Sequence, residues 1–148
     1  MLRYAAQKIS HLKKITTLVL AGCTPAPAYL FVRNTTGGAV IVSIGMQRRK
    51  QPRRLRFSPK LLRPLRASIA KMQDSLAMTR TPAGITFRLP ANSTVGLGYY
   101  FGLSKNIVAT LRLQRADSTV QLLDSLALTQ AVHYSYKIGG PCAWYDIQ

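Results

Sequence analysis

The sequence of 148 residues predicts a mainly β protein, an antiparallel β-sandwich of Ig-like architecture with one inserted amphipathic helix. Three observations carry that expectation. Beyond residue 28, seven or eight short runs rich in Val, Ile, Leu, Thr and aromatic residues are separated by Gly-, Pro-, Asn- and Ser-containing turns, as sandwich strands are. Only the stretch 63–79 departs from the two-residue period of strands, spacing apolar residues three and four apart as a helix does. A chain of this length is one domain, and it can bury roughly two-thirds of its unfolded surface without a metal or disulfide to support it.

Residues 29–33 open the pattern. Asn34-Thr35-Thr36-Gly37-Gly38 supplies turn formers and 39–44 resumes a β-rich run, so the two runs read either as a hairpin with a longer-than-minimal turn or as neighbouring strands of a sandwich. Residues 48–56 then carry six Lys/Arg in nine positions together with Pro52, the composition of a solvated loop or an extended edge. In the helical stretch Leu61, Leu62, Leu65, Ile69, Met72 and Leu76 form a stripe, while Arg63, Arg66, Lys71 and Asp74 point elsewhere. Pro64 suits the first turn and Pro82-Ala83-Gly84 ends the pattern. Such a stripe either packs onto a sheet or lies in a membrane interface.

Strand-like runs return at 85–89 and 95–101, where Gly96, Gly98 and Gly102 mark bulges or close backbone approaches. Runs at 107–113 and 119–123 flank an Ala116-Asp117-Ser118 turn, 132–138 alternates, and Gly139-Gly140-Pro141 introduces a last segment at 142–145. One near-repeat, Asp74-Ser75-Leu76-Ala77-Met78-Thr79 against Asp124-Ser125-Leu126-Ala127-Leu128-Thr129, is too short to indicate duplication. Chance or shared helix-capping chemistry accounts for it.

The charge balance is lopsided: 21 Lys+Arg face four acids, all Asp, for a net charge of +17. Between Arg48 and Arg88 twelve Lys/Arg accompany a single acid, Asp74, a local net of +11. Such a chain attracts anionic partners, whether phospholipid headgroups, lipopolysaccharide phosphates or nucleic acid. The residues expected to meet an anionic surface are Arg48, Arg49, Lys50, Arg53, Arg54, Arg56, Arg63 and Arg66. A merely solvated face is the other use of the same charges.

The N-terminus reads as an address. Arg3, Lys8, Lys13 and Lys14 form a cationic start, and 15–22 supplies an apolar run of secretory-signal type, far short of the ~20 residues a membrane-spanning helix needs. That run closes on Leu20-Ala21-Gly22-Cys23, an aliphatic residue, two small ones and a cysteine. The arrangement resembles the lipobox of bacterial lipoprotein precursors. The resemblance implies cleavage between Gly22 and Cys23, with a thioether-linked diacylglycerol on Cys23 and acylation of the new amine. Two or more acyl chains hold a protein stably on a membrane. The implied layout is a signal peptide at 1–22, a lipidated N-terminus and linker at 23–28, and one domain at 29–148 carrying the basic loop and helix at about 48–80. Thr24-Pro25-Ala26-Pro27 is a stiff, uncharged spacer. Without residues 1–22 the balance is 17 basic against four acidic, a net of +13. Neither an Asp nor an acidic run follows Cys23, so the same resemblance implies the periplasmic face of the outer membrane. A general likeness to small bacterial lipoproteins extends to Asn34-Thr35-Thr36 and to Leu89-Pro90-Ala91-Asn92-Ser93-Thr94-Val95, and implies no activity.

Residues for chemistry are sparse. Only His133 remains beyond the signal, within an alternating run, and its pairing with Cys142 as a thiolate nucleophile lacks an orienting motif. Acylation of Cys23 leaves Cys142 a lone thiol; without it a Cys23–Cys142 bridge is open. The Asp residues are scattered, the Cys and His residues fit no zinc spacing, and Gly96, Gly98 and Gly102 do not open a helix as phosphate-cradling glycines do. No enzyme, metal or cofactor is expected. The expected function is that of a membrane-anchored envelope lipoprotein, a non-enzymatic binding or structural module with a basic face for anionic lipid, lipopolysaccharide or another envelope partner. The alternative is a basic nucleic-acid- or ribosome-associated protein whose N-terminus is presequence-like, with Tyr99, Tyr100 and Phe101 as stacking residues. The export signal argues against it.

Overall fold

Alternation of apolar and polar residues gives most strands one buried face, and the strands assemble into two sheets that share a core. The computed structural model describes residues 27–101, 108–137 and 139–148, and the side chains of 99–101 are outside that description. In chain order the strands are β1 (Ala28–Asn34), β2 (Val40–Gly45), β3 (Leu55–Ser58), β4 (Asp74–Leu76), β5 (Met78–Thr81), β6 (Gly84–Leu89), β7 (Ser93–Phe101), β8 (Thr110–Gln114), β9 (Val120–Asp124), β10 (His133–Ser135) and β11 (Cys142–Ile147). Two short helices accompany them, α1 (Arg66–Ile69) and α2 (Ser125–Ala131), with a 3₁₀ turn at Arg48–Lys50. One sheet has six strands in the order β10-β11-β1-β7-β3-β4, the other five in the order β5-β6-β2-β8-β9. The mainly β sandwich with a helix is therefore what the chain forms. Its pairing is antiparallel except between β1 and β11, which run parallel.

The runs 29–33 and 39–44 do not form a hairpin. β1 lies in the six-stranded sheet and β2 in the five-stranded one, so the chain crosses the sandwich between them. Asn34 accounts for the crossing. Wholly buried, its amide NH₂ is shared among the carbonyls of Gly38, Leu89 and Pro90 at 2.8, 3.2 and 2.9 Å, and its Oδ1 accepts from the Thr36 N–H and hydroxyl. Thr35 donates both its N–H and its hydroxyl to the Ile147 carbonyl. The Asn34-Thr35-Thr36 element and the Leu89–Val95 element singled out in the sequence thus meet in one knot.

The expected helix at 63–79 is not formed. The segment holds one turn, α1, and then two edge strands, β4 and β5. Its apolar residues do not share one stripe, because they serve two different surfaces. Leu62, Ile69 and Met72 cover the outer face of the six-stranded sheet against Tyr29, Phe31, Cys142 and Trp144. Leu76 and Met78 instead join the core between the sheets, opposite Leu55 and Phe87. The longer helix is α2, where the Asp124 carboxylate accepts from the Ala127 N–H at 2.8 Å and Leu128 is buried.

Because one face of β1 meets the inter-sheet core and the other meets this cover, six of its seven residues are buried. The glycines of β7 behave as their spacing suggests. The register slips where Leu30 and Phe31 meet Gly98 and Gly96, leaving Leu97 as an extra residue, and Gly98 has φ 111°. At Gly96 a Cβ would lie 2.6 Å from Tyr29 Oη and 2.7 Å from Met72 Cε, so the glycine makes room for the cover.

Strand directions define two ends. β1 runs from Ala28 at the entry end to Asn34 at the far end; β7 runs back, and β3 runs parallel to β1 with Leu55 toward the entry end. β2 begins beside the Asn34 turn and delivers the chain to the entry end at Gly45, ahead of Arg48–Lys50 and Arg53.

Candidate anionic-surface site

At the entry end the basic loop is braced, not loose. The Gln51 amide donates to the Thr81 carbonyl at 2.7 Å, the Arg80 guanidinium donates to the Pro52 carbonyl, and Pro52 itself is buried. Leu55 is fully buried in the inter-sheet core, which turns its neighbours Arg54 and Arg56 outward. In register, Arg56 stands beside Gly96. Arg53, Arg54 and Arg56 then border an open groove of about 460 Å³ floored by Tyr29, Gly96, Leu97 and Gly98, with Ile69 of the cover at its side.

The other expected residues go elsewhere. Arg48, Arg49 and Lys50 form an exposed turn at the same end, and Arg48 shares a smaller recess of about 290 Å³ with Arg80. Arg63 lies beside Lys137 and Trp144 in a separate groove of about 390 Å³. Arg66 lies along Gly139 and Gly140, whose φ values of 107° and 117° belong to glycine and where a Cβ would sit 3.2 Å from Arg66 Cβ or 2.8 Å from its Nη1. The structure therefore brings together Arg53, Arg54 and Arg56, keeps Arg48–Lys50 nearby, and separates Arg63 and Arg66 from them. Gly22 and Cys23 lie outside the described residues.

Acidic groups do not neutralise this end. Asp146 forms a bidentate pair with Arg33, Asp124 caps α2, and Asp117 accepts from the Thr119 N–H and hydroxyl, which hold its carboxyl below the usual range. Asp74 is exposed on edge strand β4, opposite Phe57. Among the described residues no carboxylate pairs with Arg53, Arg54 or Arg56.

Sequence reasoning missed Arg80 and the floor of the groove. Arg80 sits 24 residues beyond Arg56, just past the stretch read as helix, and only strand pairing places it against Pro52. Tyr29 read as an ordinary strand residue. Gly96 and Gly98 carried the usable signal, because glycines inside a strand mark a close approach.

The sparse chemical groups are placed as follows. Cys142 is buried against Tyr29, Phe31 and Met72, its Sγ directed at the Gly140 carbonyl at 3.9 Å. Burial pushes its thiol up, partly offset by the Arg66 charge. His133 stands opposite Trp144, their rings stacked at 5.3 Å, while Ser135 stands opposite Cys142. Among the described residues no group of three or more His, Cys, Asp or Glu could hold a metal, and no helix is long and apolar enough to cross a membrane. No family model matches the chain, and no curated protein or solved structure is significantly similar to it.

Proposed function

We propose that the protein is an envelope lipoprotein anchored through Cys23, whose domain is a non-enzymatic binding or structural module that docks its basic end on an anionic surface of lipid or lipopolysaccharide. One observation supports this most: Arg48, Arg49, Lys50, Arg53 and Arg54 gather at the end of the sandwich where the chain arrives from Cys23. Five peptide links separate Cys23 from Ala28, a reach of at most about 18 Å. The far end of a strand of seven residues lies about 20 Å further away. A tether at Cys23 therefore holds the basic end, not the far end, next to the headgroups. Each basic side chain near anionic lipid contributes on the order of 1 kcal/mol, and the tether makes that contact intramolecular. Leu62 and Met72 do not take part, since they are used to cover the sheet.

Labelling with a fatty-acid analogue, comparing wild type with Cys23→Ala alongside the mass of the mature protein, tests the anchor. Cys23-dependent label and loss of residues 1–22 are expected; an unlabelled chain that keeps Met1 and co-purifies with nucleic acid would favour the nucleic-acid alternative. Neutralising Arg48, Arg49, Arg53 and Arg54 should weaken binding to anionic vesicles, and binding that ignores both the substitutions and salt would sink the electrostatic part.

A further inference from the structure

We infer that the groove bordered by Arg53, Arg54 and Arg56 is a seat for the phosphate of a membrane lipid headgroup, an assignment that rests on the membrane-docking reading and makes it specific. A diffuse basic surface needs only charge; this groove has more. Three guanidiniums rise from a backbone held by the burial of Pro52 and Leu55 and by the Gln51 and Arg80 bonds. A guanidinium is a planar fork that grips phosphate through two parallel hydrogen bonds. Asp146, Asp124 and Asp117 are engaged elsewhere in the fold, and among the described residues the exposed Asp74 forms no ion pair with these forks.

Floor and size fit the same ligand. Gly98 leaves backbone in place of a side chain in the groove, where an oxyanion can approach the strand between the arginines, while the space over Gly96 is taken by Tyr29 and Met72. Beside them Tyr29 and Ile69 add apolar surface, which suits the glycerol and first methylenes of a lipid better than it suits a bare ion. A volume of about 460 Å³ lies within the range of small-molecule sites. The groove also opens near Ala28, the end that a tether at Cys23 brings to the bilayer.

The experiment compares two charge-matched variants of the full chain, R53Q/R54Q/R56Q and R48Q/R49Q/K50Q, in flotation with phosphatidylcholine vesicles. Negative charge is supplied either by phosphatidic acid or, at equal surface potential, by oleate. A phosphate seat predicts that wild type prefers phosphatidic acid, and that the groove variant loses about tenfold more of that binding than the turn variant. Equal losses with no preference over oleate would overturn the seat and leave the docking reading standing. Failure of wild type to float with either vesicle would instead defeat the docking reading. Titration with soluble dihexanoyl phosphatidic acid should shift the Gly96 and Gly98 amide resonances; equal shifts with inorganic phosphate at the same concentration would overturn the lipid assignment.

Discussion

Two regions of the outer face of the six-stranded sheet use arginine in opposite ways. Toward the far end, Arg33 stands opposite Asp146 on the parallel neighbour strand and holds it through Nε at 2.6 Å and Nη2 at 2.7 Å, while Nη1 donates to the Leu62 carbonyl at 3.3 Å. Thr94 adds a second clasp, accepting from the Leu62 N–H and donating to the Lys60 carbonyl. The cover that begins there goes on to lay Ile69 and Met72 over Tyr29, Phe31 and Cys142. Toward the entry end, Arg53, Arg54 and Arg56 have no carboxylate across from them and border an open groove. The residue type is the same, and the neighbour in register decides its role. An arginine opposite an aspartate closes the face, whereas arginines without a carboxylate across from them border an opening in it.

If that contrast is correct, substitutions in the closed region act on stability and those in the open region on binding. The largest effect belongs to Met72, which is 1% exposed beneath the cover: Met72→Ala should cost roughly 2–5 kcal/mol, read as a lower urea midpoint at unchanged slope. A cost below ~1 kcal/mol would mean the cover does not hold the sheet. Next comes Arg33→Gln, which leaves Asp146 without its cation where the two side chains are only 20% and 16% exposed; about 2–3 kcal/mol is expected from the same denaturation. By contrast, R53Q, R54Q and R56Q should each change stability by no more than ~0.5 kcal/mol. A destabilisation as large as that of R33Q would erase the distinction between the two regions.

The smallest effect is a pH slope at Cys142. Burial raises its thiol, so the folded protein keeps the proton where the unfolded chain has begun to lose it, at about pH 8.5. Its contribution to stability is complete below that pH and is lost as pH rises through the raised folded value. Cys142→Ala should flatten this part of the alkaline stability profile, and wild-type Cys142 should react with a thiol reagent more slowly folded than unfolded. Rapid reaction of the folded protein near neutral pH would contradict the burial and revive a role for a Cys142 thiolate.

How far such contrasts can be read from sequence is clearest in the near-repeat. Asp124-Ser125-Leu126-Ala127-Leu128-Thr129 starts α2 with Asp124 as its cap, whereas Asp74-Ser75-Leu76-Ala77-Met78-Thr79 becomes β4 and β5, leaving the six-stranded sheet for the five-stranded one at Ala77. Capping chemistry is local and both copies possess it. The first copy meets the free edges of β3 and β6, where Leu76 pairs with Leu55 and Met78 with Phe87, and that non-local pairing overrides it. The same logic explains the misplaced helix at 63–79. Three- and four-residue spacing is shared by a helix and by an irregular cover that dips toward a sheet at Leu62, Ile69 and Met72. Strand alternation, in contrast, reports burial directly, which is why the two-sheet class and the bulge at Gly98 were legible. The basic block was visible as charge but not as geometry. Nothing local separates Arg56 beside Gly96 from Arg66 against Gly139 and Gly140; strand register and the path of the cover do.

Orientation on the membrane is the most direct test of the central claim, that tether and basic groove act at one end. Spin labels can be attached to the membrane-expressed protein at Gln47→Cys, exposed beside the basic turn, and at Gly37→Cys, where the structure leaves open space in the far-end turn. On anionic vesicles carrying a nickel-chelating headgroup, the label at residue 47 should relax strongly and the label at residue 37 weakly, with the difference shrinking as salt is raised. Equal relaxation at both positions, or stronger relaxation at residue 37, would contradict the account.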